Sequence, residues 1–459
     1  MTIEPNAGAG ADRNPITLSP TQRRWLAGLL LLALVLRLGW VLLLDPEPKL
    51  QGGDGPFYLH LGDQLARGRG LRHGEPVAVV GPVYPAYLAG LQMLLGSERV
   101  VAAARIGQAF IGVALVALLF ALGERWRGPR VGLAAAGMAA VDFRFIVESG
   151  SIYTESLLSV LLALCLWLYA LSLERDEKHW WVLTGAAIGA ATLTRGVVQL
   201  LPLALLAHLC VQPAGRGLWW RWGLLLAGFA LLVSPWMMRN WLLFGSPTIS
   251  HGGAAHFWMG VRGEGRALRN GEMLSEIEAL RIGDGGGNRY RYFADAIGII
   301  ADDPLRFVQL RARRLMEAYL QPFGTVTVGV VLGNESLISM LREGSGRSLS
   351  EAVALPAFWP KVWMYALHFG SIGLALYFAV ARWRQWRAWS LFAVPVLYFS
   401  GVYALLTIIP RYLFPIMPYY LLLAAGVMAD FRLGIAERRR PRVSARSVGA
   451  SVPPEGKRA

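Results

Sequence analysis

The chain has 459 residues, of which 55% are hydrophobic and only 16% charged, with a mean hydropathy of +0.43 and a formal charge of +15. A soluble domain carries about a quarter of its residues as charges, so this composition excludes an ordinary soluble protein and calls for a bilayer. The basic excess does not point to nucleic acid either, because the arginines and lysines punctuate the gaps between apolar runs, where they set orientation in a membrane.

The apolar runs are long and lack the two-residue alternation of a barrel, so the expected fold class is an all-α polytopic membrane protein. Residues 1–22 are polar and Gly/Pro-bearing and read as a disordered cytoplasmic tail. The first run, Trp25–Leu44, is long enough at about 1.5 Å per residue to cross roughly 30 Å of hydrocarbon. It lacks the small-residue cleavage pattern of a removed signal peptide and reads as a retained span. Further spans are expected at Val100–Leu122, Val131–Val147, Thr154–Leu173, Trp180–Thr194, Val197–Val211, Trp222–Phe244, Val362–Val380, Trp389–Ile409 and Tyr412–Met428. That makes about ten crossings. Tyr84–Leu95 is too short to span and is expected as an interfacial helix.

With the N-terminus cytoplasmic, the short basic loops Glu124–Arg130, Glu174–His179, Gln212–Arg221 and Arg382–Arg387 all fall inside. This requires two short spans on either side of Arg195 and places that residue near the outer face. The expected organisation is then a transmembrane module over 23–244 with its first outer loop at 45–99, and a long extracytoplasmic loop over 245–360. C-terminal spans follow over 361–430, and then a basic cytoplasmic tail over 431–459 that includes Arg440, Arg442, Arg446, Lys457 and Arg458. Within the long loop, apolar residues of Arg289–Leu320 recur every three to four positions opposite Arg306, Arg311, Arg313 and Arg314, with an interruption at Asp303-Pro304. This is the pattern of an amphipathic helix pair lying on the outer interface.

No P-loop and no glycine fingerprint following a strand is present, so a nucleotide-binding domain is not expected. Cys165 and Cys210 lie inside apolar runs and imply no disulfide framework. His60, His73, His251 and His256 show no metal-ligand spacing. No cofactor is required by the pattern, and a divalent metal is left open.

The charged residues at the ends of spans carry the functional signal, because such residues are costly near hydrocarbon. Asp54 follows the first span in a glycine-bearing segment, and Glu148 and Glu155 bracket a short outer loop. Arg195, Arg239-Asn240 and Arg411 close or open later spans. The topology puts all of them at one depth on the outer face, whereas arginines that merely snorkel would scatter over both faces. The set fits transfer from a lipid-linked phosphate donor. Arginines would hold the phosphate by charge-assisted bonds, and a carboxylate would take a proton from the acceptor.

In order along the chain, Gly53-Asp54-Gly55-Pro56-Phe57-Tyr58, Gly81-Pro82-Val83-Tyr84-Pro85, Thr154-Glu155-Ser156-Leu157-Leu158, Leu193-Thr194-Arg195, Pro235-Trp236-Met237-Met238-Arg239-Asn240 and Arg411-Tyr412-Leu413-Phe414-Pro415 resemble the motifs of the GT-C fold membrane glycosyltransferases. The type resembled is family 39, related to protein O-mannosyltransferases and aminoarabinose lipid A transferases, and the resemblance covers about residues 25 to 430. It implies an inverting, polyprenyl-phosphate-sugar-dependent glycosyltransferase in a bacterial inner membrane, with its active site facing the periplasm. The partners it implies are a lipid-linked donor, an extracytoplasmic acceptor and the bilayer, without nucleic acid.

Matched position by position, Asp54 is the implied general base and Glu155 the second acid. Arg195, Arg239 and Arg411 are the implied donor-phosphate ligands, and Tyr58, Tyr84, Glu148, Asn240 and Tyr412 line the substrate site. Three departures stand out: Gly55 where the family often has Glu, Gly196 where it has Pro, and Met259-Gly260-Val261 where Gly-Asn is usual. A reading from another class is a lipid-linked sugar transporter or flippase, but transporters concentrate polar residues near the bilayer midplane, and here the charges sit at the outer edge.

Overall fold

A computed structural model of the chain describes residues 18–46, 54–212, 217–262, 289–332, 351 and 353–439. Residues 1–17 of the expected N-terminal tail and Arg440, Arg442, Arg446, Lys457 and Arg458 of the C-terminal tail lie outside these residues, whereas residues 20–22 open the first helix and 431–439 end the last one. Helix α1 (Pro20–Gly39) opens on a capping box, in which Ser19 accepts from the Gln22 amide and Gln22 accepts from that of Ser19. It runs on through a π-helical turn, Trp40–Leu44. Helices α2 (Gly55–Ala66) and α3 (Val83–Leu95) follow, separated by a two-stranded hairpin pairing Arg72 with Pro76 and His73 with Glu75. The α3 helix covers the stretch expected to be interfacial.

The next elements are α4 (Val100–Arg127), α5 (Pro129–Val141), α6 (Phe143–Glu148), α7 (Glu155–Arg175), α8 (Lys178–Thr194), α9 (Leu201–Val211) and α10 (Leu218–Phe244). The run expected as one span from Val131 to Val147 is broken at Asp142. That residue turns extended and caps α6 by accepting from the Arg144 amide. The carbonyls left over at the end of α5 are taken by the buried Arg37 of α1, which donates to Ala139 at 3.1 Å and Ala140 at 3.3 Å. A cation inside the first span thus serves as the C-terminal cap of another helix.

After α10 come α11 (Gly252–Arg262), α12 (Arg289–Asp302), α13 (Pro304–Leu320) and α14 (Thr325–Leu332). The last elements are α15 (Phe358–Ala381), α16 (Trp386–Leu405), the 3-10 segment Pro410–Ile416 and α17 (Met417–Arg439). The expected break in the amphipathic pair is present: Asp303 caps α13 by accepting from the Arg306 amide at 2.9 Å. Leu305, Val308 and Met316 of α13 are exposed.

Among the described residues, seven helices are long and apolar enough to cross a membrane, and the bent pair α13–α14 would make eight. The other three expected spans fall on the shorter helices α5, α8 and α9, of 13, 17 and 11 residues. The protein is a multi-pass helical membrane protein. Helices α8 and α10 pack closely enough that a Cβ on Gly185 would stand 1.8 Å from the Leu225 carbonyl oxygen. Close approach through small residues is the usual way helices associate in lipid.

Candidate active site

Four of the sequence-predicted residues meet, although they come from four separate parts of the chain. Glu155 stands in the first turn of α7, where the helix dipole favours a carboxylate. Arg195 is the residue at which α8 ends, in extended conformation, so its side chain leaves the helix rather than following its face. Arg411 lies in the 3-10 segment between α16 and α17. Asp54 occupies the N-cap position of α2, yet its side chain makes no capping bond there.

Glu155 is the hub. Its Oε1 accepts from Arg195 Nη1 at 2.6 Å and lies 3.1 Å from Arg411 Nε, and Thr154 Oγ1 donates to Oε2 at 3.3 Å. Arg411 Nη2 donates to Asp54 Oδ2. Two acids and two arginines therefore form a chain in the order Arg195, Glu155, Arg411, Asp54. The side chain of Glu155 is 2% exposed and that of Asp54 49%. Asp54 is the member of the chain most open to water.

Aromatic faces back both cations. The Arg195 guanidinium lies 4.2 Å from the ring centre of Tyr412, and that of Arg411 lies 4.4 Å from Tyr153. Tyr412 is in turn stacked on Tyr403 at 5.1 Å. Tyr58 and Tyr84 pack edge to face at 5.1 Å beside the cluster. Burial, reinforced by the Asp54 charge, raises the Tyr58 phenol well above its ordinary range, so this residue is a neutral hydroxyl and not a base.

Glu148, at the end of α6, is fully buried, and neither of its carboxyl oxygens meets hydrogen-bond geometry with a described residue. Burial first, and the neighbouring Glu155 charge second, push its carboxyl well above the usual range, although the Ser151 hydroxyl beside it pulls the other way. Of the two acids bracketing the loop between α6 and α7, Glu155 joins the ion pairs of the cluster and Glu148 lies beside it outside them.

Arg239 and Asn240 form a separate set. Arg239 donates to the carbonyls of Val77 at 3.0 Å and Leu71 at 3.2 Å and to Asn240 Oδ1 at 2.8 Å, and it stacks on Trp236. Asn240 Nδ2 donates to the Thr248 carbonyl at 2.7 Å. These bonds tie the end of α10 to the loop between α2 and α3. The same loop reaches the end of α8 through Gly81, where a Cβ would lie 1.8 Å from the Leu193 carbonyl oxygen. That contact seats the α2–α3 unit against the turn that carries Arg195.

Other contributors were not picked out by sequence reasoning. Arg105 of α4 pairs with Asp45 at 2.6 Å and donates to the Gly150 carbonyl at 2.8 Å, which holds the Glu148–Glu155 loop. Its signal was a lone arginine inside an otherwise apolar span. Tyr153 and Tyr403 carried no such signal. Among the described residues no group of three or more His, Cys, Asp and Glu side chains is placed to hold a metal ion.

Residues 80–238 match the family described as dolichyl-phosphate-mannose-protein mannosyltransferase. No individual curated protein matches the chain. The archaeal oligosaccharyltransferase AglB from Archaeoglobus fulgidus, solved with an inhibitory peptide and a dolichol-phosphate, superposes over 94% of this chain with a TM-score of 0.51 at 16% identity. The apo form of the Archaeoglobus fulgidus oligosaccharyltransferase gives 0.53 over 92% of this chain, also at 16% identity. This chain has the GT-C fold.

The chain spans about half the length of the AglB chains, 53% and 52%. A looser superposition, with a TM-score of 0.43 at 19% identity, is found with ArnT from Cupriavidus metallidurans bound to undecaprenyl phosphate, over 92% of this chain and 82% of that one. On this GT-C chain the family match takes in Glu155 and Arg195 and stops short of Asp54 and Arg411. The fold is what brings the second acid and the second arginine to the first pair.

Proposed function

We propose that the protein is an inverting glycosyltransferase that moves a sugar from a polyprenyl-phosphate-linked donor to an extracytoplasmic acceptor, a cell-envelope glycan, lipid or protein. The observation that carries this reading is the convergence of Arg195 and Arg411 with Glu155 and Asp54 at the ends of helices. Two arginines a single carboxylate apart are suited to grip the oxygens of a phosphate, and they would stabilise the charge that grows on it as the sugar leaves. Asp54 is the general base, because it is the acid open to an incoming acceptor. Glu155 orients both arginines. Arg239 and Asn240 shape the outer mouth by fixing the first outer loop, and Glu148, Tyr58, Tyr84 and Tyr412 line the substrate space.

In a bacterial cell the site would face the periplasm from the inner membrane, where a polyprenyl tail dissolves in the bilayer beside it. The match to a mannosyltransferase family over residues 80–238 supports transferase chemistry over transport. The test is transfer by the purified protein from a polyprenyl-phosphate sugar to envelope acceptors, with Asp54→Asn and Arg411→Gln variants. Both are expected to lose transfer. Full activity in Asp54→Asn would remove the base assignment, and passage of donor across sealed liposomes without transfer would favour a flippase.

A further inference from the structure

Arg411 has two acidic partners, and they are not equivalent. Glu155 is buried, bonded by Arg195 and by Thr154 as well as lying against Arg411, and fixed in the first turn of α7. Releasing it would strand a carboxylate inside the protein and leave Arg195 without its partner, which is costly. Asp54 is half exposed, makes no capping bond to α2, and has Arg411 as its hydrogen-bond partner among the described residues. Releasing it returns a carboxylate to water.

Resting on the reading above, that the site takes a polyprenyl-phosphate-linked donor, we propose that Asp54 is the exchangeable counter-ion of Arg411. The donor phosphate takes the Arg411 guanidinium from Asp54, and only then is the Asp54 carboxylate free to act as base. Like charges close together repel, so phosphate and Asp54 compete for one cation.

The exchange also orders the cycle. With donor bound, the acceptor oxygen attacks the anomeric carbon and its proton passes to the Asp54 carboxylate. The bond from the anomeric carbon to the phosphate oxygen breaks, and its electron pair stays on that oxygen, leaving a polyprenyl phosphate monoester. The neutral Asp54 formed in this step has no charge with which to reclaim Arg411, so the product phosphate remains. Once Asp54 loses its proton to water, the carboxylate competes for Arg411 again and helps expel the product. Asp54 thus weakens phosphate binding in the resting site and opposes product retention at the end.

The test is equilibrium binding to the full-length protein in detergent or nanodiscs, with undecaprenyl phosphate and inorganic phosphate as probes and undecaprenol as the control. Wild type is compared with Asp54→Asn, Asp54→Ser and Arg411→Gln, each checked for a monodisperse, cooperatively melting state. Asp54→Asn and Asp54→Ser are expected to bind undecaprenyl phosphate about tenfold tighter than wild type or better, while losing transfer. Equal or weaker binding in both Asp54 variants, with wild type saturable and Arg411→Gln weakened, overturns the exchange and leaves the donor-site reading standing. The converse pattern has tighter binding of inorganic phosphate in the Asp54 variants and no difference between undecaprenyl phosphate and undecaprenol. It supports the exchange and overturns the lipid-donor reading.

Discussion

Glu155→Gln removes one charge from the hub and keeps its shape. In the parent, Glu155 Oε1 is 2.6 Å from Arg195 Nη1 and 3.1 Å from Arg411 Nε. At an effective dielectric of about 20 these separations correspond to gross attractions of about 6 and about 5 kcal/mol. Most of that is offset by the cost of desolvating the carboxylate, and the substituted amide retains a neutral hydrogen bond of about 1 kcal/mol. What remains is the cost of two arginines, 20% and 13% exposed, facing each other with one fewer counter-charge. Breaking a buried pair in this way typically costs about 3–5 kcal/mol. At roughly 2 °C per kcal/mol for a large domain, the melting temperature should fall by about 6–10 °C. Thermal unfolding followed by tryptophan fluorescence in detergent would read it, and added inorganic phosphate should recover part of the loss by replacing the missing charge. A drop of less than about 2 °C, scaled by the same relation, would mean that water and not Glu155 balances the two arginines, and the hub assignment would fail.

Arg311 of α13 donates to the carbonyls of Ala404 at 2.8 Å, Gly260 at 2.9 Å and Tyr403 at 2.9 Å, and also to Leu406. Arg311→Met should cost about 4 kcal/mol or more, because four carbonyls are orphaned at about 1–3 kcal/mol each. Hydrogen exchange would quicken at 403–411 with α4 and α5 unchanged, and a uniform change would refute the local role. Glu148, raised by burial and by Glu155, holds its proton more tightly folded than unfolded. That contribution to stability is complete below about pH 4.3 and is lost as pH rises through the folded pKa. Glu148→Gln should flatten the decline of the melting profile with rising pH; a profile parallel to the parent would show that Glu148 is charged when folded. Gly81→Ala places a Cβ against the Leu193 carbonyl, and about 1–3 kcal/mol should be lost to overpacking. Unchanged melting would show that the loop between α2 and α3 is not seated there.

The helices and the identity of the charged cluster were legible in sequence for one reason: ionisable groups at the ends of apolar runs are expensive, so each one marks a place where something compensates. Asp54, Glu155, Arg195 and Arg411 all carry that mark, and all four meet. Arg239 carries it too, but its compensation is a set of loop carbonyls rather than an acid, and no spacing rule separates the two cases. Asp142 and Arg144 carry it as well, inside the run expected as one span from Val131 to Val147. The carbonyls freed by the break are taken by Arg37, more than a hundred residues away, and no local pattern announces that partner. Arg105 and Arg311 show the same limit: an arginine in or beside an apolar run announces a buried partner, and the fold decides which one.

Arg195 and Arg411 both sit where a helix has stopped, and the arrangement has a physical reason. An arginine in mid-helix projects along one face and shares its neighbours' direction. Two cations approaching one small anion from opposite sides are more easily placed at chain breaks, where the backbone can turn. Breaks expose peptide groups that hydrocarbon cannot satisfy, so each one here is repaired by side chains. Behind Arg195, Tyr398 Oη donates to the Val197 carbonyl at 2.5 Å and accepts from the Leu200 amide at 3.1 Å. Before Arg411, Arg311 takes the last carbonyls of α16, and Thr407 donates to the His256 carbonyl through its amide at 3.0 Å and its hydroxyl at 2.9 Å. Helices α11 and α13 of the loop between α10 and α15 supply the second repair. On this reasoning the loop is more than a cover: without it the segment holding Arg411 would lose its hydrogen bonds, and the arginine its aim.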